Sequence, residues 1–238
     1  WSSSGAMTLT GSSAWGSAIT VPSGKTLFVT GQGSLPNTVV TLVGSTTTLD
    51  ISGSTAGVTL KGLTSNYLGS RIALGSNTLT FTGAQTYTGA TGTGLVGSQL
   101  IYTRNTVPTT SGFTGSGAVT IQPLAGASFG SALNTNRYTF ANTLTGLTLG
   151  HAANTADITL GTAMSIAGPV RVYGGALALN ANLTTTDAAT GDVWLTGSSV
   201  NGAANLALAN GRALTISQTG NGLLSGVISG TNVALVKQ

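Results

Sequence analysis

Residues 142–184 read NTLTGLTLGHAANTADITLGTAMSIAGPVRVYGGALALNANLT. Five short pieces within them alternate apolar and small polar residues: Leu147–Leu149, Asp157–Leu160, Ser165–Ala167, Val170–Tyr173 and Ala176–Leu183. Each is closed by Gly, Asn or a Gly pair. None carries the helical period of about 3.6 residues, and all fit the period of two that puts alternate side chains on opposite faces of a strand.

Spacing ties these strands together. Leu147, Val170 and Val193 stand 23 residues apart, Ala213 follows 20 later, and Val233 20 beyond that. A step of about 20–23 residues holds about three short strands and their corners, which is one turn of a solenoid. The fold class predicted is all-β, a parallel β-helix or β-solenoid. Aliphatic residues would stack inward in ladders, Thr, Ser and Asn would cover the walls, and Gly and Asn would make the corners.

The same pattern extends outward. Strands are predicted at Ala18–Val21, Thr26–Val29, Val39–Val43, Thr48–Ile51, Gly57–Lys61, Arg71–Leu74, Thr78–Thr82, Gln99–Thr103, Ala118–Ile121 and Arg137–Ala141, and on the other side at Val193–Thr196, Asn205–Ala209, Ala213–Ser217, Leu223–Ile228 and Val233–Lys237. Pro22-Ser23-Gly24 and Leu35-Pro36-Asn37 read as turns. TYTGATGTGLVG, residues 86–97, reads as too Gly-rich for a regular strand. No helix is expected. Irregular excursions are expected near 105–112 and 123–136, within a single continuous segment over 1–238. Trp1 without an initiator Met, and a strand-like piece running up to Gln238, read as cuts through a longer chain.

Composition narrows function. Only 5% of the 238 residues are charged and 36 are Gly. The net charge of +4 reflects few acids, since there is no Glu and the aspartates are Asp50, Asp157, Asp187 and Asp192. The eight bases are scattered singly, without the cationic cluster that nucleic-acid binding needs. The absence of Cys excludes disulfides and Cys-type zinc sites. No apolar run approaches the roughly 20 residues of a membrane-spanning helix, and the short strands and sparse aromatics do not suit an outer-membrane barrel.

Chemical motifs are weak. Gly24-Lys25-Thr26 resembles the end of a phosphate-binding loop, but the required upstream Gly is Ile19. Gly92–Gly97 matches GxGxxG without a helix to open. Gly126-Ala127-Ser128-Phe129-Gly130 matches GxSxG, yet the single His151 follows with no acid between, and Asp157 comes after it. Asp187 and Asp192, around Gly191, form the one close carboxylate pair, and as loop aspartates they read as turn caps before acid–base groups or calcium ligands. His151 reads as a corner residue. Trp1, Trp15, Trp194, Tyr87, Tyr102, Tyr138 and Tyr173 read first as stacking within the coil and second as an exposed platform for sugars. No catalytic, cofactor or metal residue is assigned.

GAVTIQPLAGASF (117–129) and YTFANTLTGLTLGHAANTADITLGTAMSIAGPVRVYGGALALNANLTT (138–185) resemble the beta-strand repeats of filamentous-haemagglutinin-like and autotransporter-adhesin-like bacterial surface proteins. LTISQTGNGLLSGVISGTNVALVK (214–237) and LTFTGAQTYTGA (79–90) resemble the passenger-associated repeat. The resemblance implies a right-handed parallel β-helix, type V secretion, an extracellular location on the bacterial surface, and roles in adhesion, biofilm or surface fibres. A non-enzymatic structural or adhesive segment is therefore expected, with a glycan- or receptor-binding module as the alternative and a polysaccharide-degrading β-helix behind it. The partners expected are neighbouring repeats of its own chain or identical copies along a fibre, and surface glycans or proteins, with no nucleic acid, no membrane insertion and no cofactor. Uncapped coil ends with few charges predict aggregation or filaments as concentration rises.

Overall fold

The computed structural model describes residues 6–11, 16, 18–44, 46–65, 71–81, 86–87, 93–103, 111–115, 117–123 and 126–238. The strand pairings among them are parallel, and the fold is a β-solenoid. The chain divides into two compact units: Trp1–Arg104 with Pro108–Ala118, and Asn105–Val107 with Val119–Gln238.

The C-terminal unit is built of three strand columns. The first stacks Gly146–Leu149, Val170–Tyr173, Val193–Gly197, Ala213–Gln218 and Ala234–Lys237. The second stacks Leu133–Asn134, Ile158–Leu160, Ala176–Leu179 and Ser199–Gly202. The third stacks Met164–Ile166, Leu183–Thr185, Leu206–Ala207 and Ile228–Ser229. One coil takes one strand from each column.

Alternation decides which residues face in. Leu147, Val170, Val193 and Leu214 form one buried ladder, and Leu149, Val172, Leu195 and Ile216 the next. Ile158, Leu177 and Val200 line the second column, and Met164, Leu183 and Leu206 the third. Apolar burial at about 25 cal/mol per Å2 thus accumulates coil by coil. The 23-residue step from Leu147 to Val170 to Val193 is a true register. The next steps differ from the spacing expected: Val193 pairs with Leu214, not Ala213, and Leu214 with Leu235, not Val233. A slip of one residue would turn Ala213 inward and Leu214 out, so burial of Leu214 sets the register.

One short helix departs from the all-strand expectation, a 3-10 turn at Thr135–Arg137. Asn134 caps it, Oδ1 accepting the Asn136 N–H at 2.9 Å, and buried Thr135 ties it to the following coil, Oγ1 accepting the N–H groups of Gly161 (2.9 Å) and Thr162 (3.2 Å). Residues 126–132 hold no regular element, ahead of the short strand Leu133–Asn134.

Strands of the N-terminal unit run longer. Arg71–Phe81 pairs with Thr93–Thr103, and the register shifts around Gly75, so the strand bends without ending. Two expectations are corrected. Leu35-Pro36-Asn37 is not a turn: it opens the strand Leu35–Leu42, whose register against Val58–Ser65 is irregular between Leu35 and Val39. Exposed Pro36 lacks an N–H and is tolerated in such a bulge. The Gly-rich stretch 86–97 also yields strand, at Thr86–Tyr87 and from Thr93 onward, because neighbouring coils supply the pairing that its side chains do not favour. Of the excursion expected near 105–112, residues 105–110 lie outside the described residues, and Ser111–Gly115 is strand. Pro22–Gly24 is the expected turn, with Lys25 N–H donating to Pro22 O at 3.1 Å.

Candidate functional site

The corner between the first and second columns of the C-terminal unit repeats on successive coils. The chain turns there at Gly174-Gly175, at Gly197-Ser198 and at Gln218-Thr219. Corner amides bond from coil to coil, Gly174 N–H to Thr196 O at 3.0 Å and Ser198 N–H to Gly175 O at 2.8 Å. A Cβ on Gly197 would lie 2.5 Å from Gly175 O, so only Gly allows this approach. The aligned corners leave an open groove of about 450 Å3, lined by Asn154, Asp157, Thr196, Ser198, Ser217 and Gln218 among others.

Most polar groups of the groove have set positions. Asp157 Oδ1 accepts the Ala176 N–H of the next coil at 2.8 Å, while its Oδ2 has no partner among the described residues. Gln218 Oε1 accepts Val200 N–H at 3.1 Å. Beside the groove, strand alternation turns Arg171 and Tyr173, Trp194 and Thr196, and Thr215 and Ser217 outward in three successive rows, all half-buried. The Arg171 guanidinium carbon lies 4.4 Å from the Trp194 ring centroid, a cation–π stack.

The candidate acids are spread among the turns. Asp50 Oδ1 accepts from the N–H (2.8 Å) and hydroxyl (2.6 Å) of Ser52. Asp187 accepts from Ala189 N–H and from the Thr190 hydroxyl, both at 2.7 Å. These bonds, the Ala189 N–H foremost, hold its carboxyl below the usual carboxylate range, and Arg212 adds a small attraction. Asp192 Oδ1 accepts Ala213 N–H at 2.8 Å, and its Oδ2 lies 3.7 Å from Arg212 Nη1. Arg212 Nη1 also donates to Ala189 O at 2.8 Å. Asp187 thus caps its own turn as expected, whereas Asp192 does not: it bridges to Ala213 of the next coil and pairs with Arg212. Among the described residues, no three His, Cys, Asp or Glu side chains group together.

Ser128 of the GxSxG match donates to Asn154 Oδ1 at 2.9 Å and accepts the N–H groups of Thr155 (3.1 Å) and Ala156 (2.9 Å), which fixes it as a coil-to-coil fastener. His151 Nδ1 accepts Ala153 N–H within its own corner. Lys25 follows the turn that opens the strand Thr26–Thr30, and residues 93–97 of the GxGxxG match are strand, so neither Gly motif opens a helix. Tyr138 is buried, and burial pushes its phenol well above its ordinary range against a small pull from Arg137. Trp194 and Tyr173 face outward, which reverses the expectation of stacking inside the coil. Trp1, Trp15 and the side chains of Tyr87 and Tyr102 lie outside the described residues.

No protein-family model, curated protein or solved structure matches this chain. The outer Arg171–Trp194 pair and the groove were missed by motif reading. A signal for the pair existed: the step from Val170 to Val193 already sets Arg171 beside Trp194.

Proposed function

We propose that this chain is a structural and adhesive segment of a large secreted bacterial surface protein or filament. One observation carries the reading: chemistry-bearing side chains of the C-terminal unit are used to fasten coil to coil. Asn182 Oδ1 accepts Asn205 N–H at 2.9 Å, and Asn205 Oδ1 accepts Val227 N–H at 2.9 Å one coil further on. Asn201 does the same for Leu223 at 3.0 Å, and Asp157 and Asp192 continue the habit. Such repeated fastening suits a stacked scaffold. Exposed Leu223, Val227, Leu235 and Val236 suit cover by further repeats or by an identical copy.

Surface display of the chain on a non-adherent bacterium is the test. Attachment and biofilm mass are expected to rise above those of an empty display anchor, and the Asp187→Asn, Asp192→Asn double variant is expected to match the unaltered chain. No gain in attachment would sink the adhesive reading. Release of sugars from biofilm polysaccharide by the chain, lost in the double variant, would favour an enzyme instead.

A further inference from the structure

We infer that the groove beside Trp194 binds a neutral, hydroxyl-rich polysaccharide lying along the stacking direction of the coils. The inference goes beyond the scaffold reading and does not rest on it. Four observations lead to it.

The first is the lining. Thr196, Ser198 and Ser217 offer hydroxyls that both donate and accept, and Asp157 Oδ2 is an acceptor with no partner among the described residues. Sugar hydroxyls, which also do both, complement this set. The groove's 450 Å3 lies in the range of about 300–1,000 Å3 found for small-ligand sites, enough for a few sugar units at a time.

The second is the aromatic rim. Outward Trp194 and Tyr173 stand on adjacent strands, in the rows that border Thr196 and the groove. Arg171 stacked at 4.4 Å holds the indole in place, which lowers the ordering cost of binding. A sugar ring has an apolar C–H face suited to such a platform.

Repetition is the third. Tyr173, Thr196 and Ser217 sit in register on successive parallel strands. Parallel strands repeat at about 4.8 Å, the scale of one unit in an extended sugar chain. A polymer along the coils meets equivalent groups at each step.

The fourth is what the groove rejects. Asp157 is the one charged residue among its lining residues, so an anionic polymer meets repulsion inside the groove, and the Arg171 cation at the rim is engaged on the Trp194 ring. A peptide finds no strand edge to extend, because corner amides are already bonded: Gly174 to Thr196, Gly175 to Ala156, Ser198 to Gly175 and Gly220 to Ser198.

Affinity electrophoresis of the whole chain in native gels tests this. Separate gels hold hydroxyethyl cellulose, galactomannan, dextran, polygalacturonate or gelatin. Retardation is expected in at least one neutral polysaccharide. Trp194→Ala should weaken it at least tenfold. Ser198→Trp, a change at an exposed corner that fills the groove, should do the same, with circular dichroism confirming the fold of each variant. If Trp194→Ala fails to fold, Ser198→Trp decides alone. The inference is overturned if no neutral polymer retards the chain, if only polygalacturonate or only gelatin does, or if a folded variant is retarded as strongly as the parent.

Discussion

Asn77 of the N-terminal unit and Asn205 of the C-terminal unit are the same residue type fastening neighbouring coils, and they bond in opposite senses. Asn77 is buried and its Nδ2 donates to Ile51 O at 2.8 Å and Ser54 O at 3.0 Å. Asn205 is exposed and its Oδ1 accepts Val227 N–H. The C-terminal unit uses both senses, since Asn154 Nδ2 donates to Tyr173 O at 2.9 Å and the Thr190 hydroxyl to Gly168 O at 3.0 Å, but the accepting sense is the one its aspartates share. In the N-terminal unit Thr47 and Ser54 donate their hydroxyls to carbonyls one coil away, Pro22 O and Gly31 O. In the C-terminal unit Asp157, Asn182, Asp192 and Asn201 accept amides one coil away. A corner that needs an acceptor tolerates Asp as well as Asn, whereas a corner that needs a donor tolerates only the amide or a hydroxyl. Hence Asp157 and Asp192 bridge coils, and Asp50 bonds only within its own turn, to Ser52.

What the two units share is the core, and the largest effects belong there. Leu49 and Leu195 are both fully buried in aliphatic ladders. Leu49→Ala and Leu195→Ala are each expected to cost about 3 kcal/mol through lost burial and a residual cavity. Urea unfolding of the two variants checks the equality, and a cost confined to one of them would break it.

The donor–acceptor contrast comes next. Asn77→Asp should cost about 2–3 kcal/mol, because two buried carbonyls lose their donor and face a carboxylate. Asn205→Asp keeps the accepting oxygen at an exposed site and should stay within about 0.5 kcal/mol of the parent. Equal costs in the same unfolding measurement would erase the distinction.

Corner glycines provide a third comparison. Gly24 and Gly150 have nearly the same φ, +72° and +75°, so a side chain strains both alike. Their surroundings differ: a Cβ at 24 meets nothing nearer than 3.8 Å, and one at 150 would fall 2.0 Å from Tyr173 O. Gly24→Ala should cost about 1 kcal/mol, and Gly150→Ala at least about twice that, since the coils must part. Thermal melts of the pair measure the difference.

The smallest effect is on pH. The folded carboxyl of Asp187 titrates below its ordinary value of 3.8 because the charged form is hydrogen-bonded. A depressed folded value means that its contribution is present above the unfolded value and fades as pH falls through the folded one. Acidification below about pH 4 should therefore lower the protection of the Ala189 and Thr190 amides, read as their exchange rate relative to the intrinsic rate at each pH, and Asp187→Asn should remove the carboxyl-dependent part of that change. An identical acid profile in both proteins would count against the cap.

Strands and the inward ladders were legible in the sequence because alternation is a local property: Val170–Tyr173 or Thr26–Thr30 shows its two faces within a few residues. The coil length was legible in the first column, where Leu147, Val170 and Val193 step by 23, but not in the other two, where Ile158 to Leu177 and Met164 to Leu183 step by 19. Pro36 shows where local reading fails, since a turn former was held in a strand by pairing with the coil above. Asp187 was legible as a cap from its turn setting, while Asp192 was not, because the amide it accepts belongs to Ala213 one coil on, and Trp194 was misplaced because aromatic type alone does not say which face it occupies.

By itself, then, the sequence determined a stack of short parallel strands with an aliphatic interior and corners of Gly and Asn. Tertiary structure alone decided that Leu214 and not Ala213 lies over Val193, that Asn77 gives hydrogen bonds where Asn205 receives them, and that Arg171, Trp194 and the polar corners meet around one groove. The reason is physical: these contacts join residues about one coil apart in the chain, and their geometry exists only once one coil has settled on another.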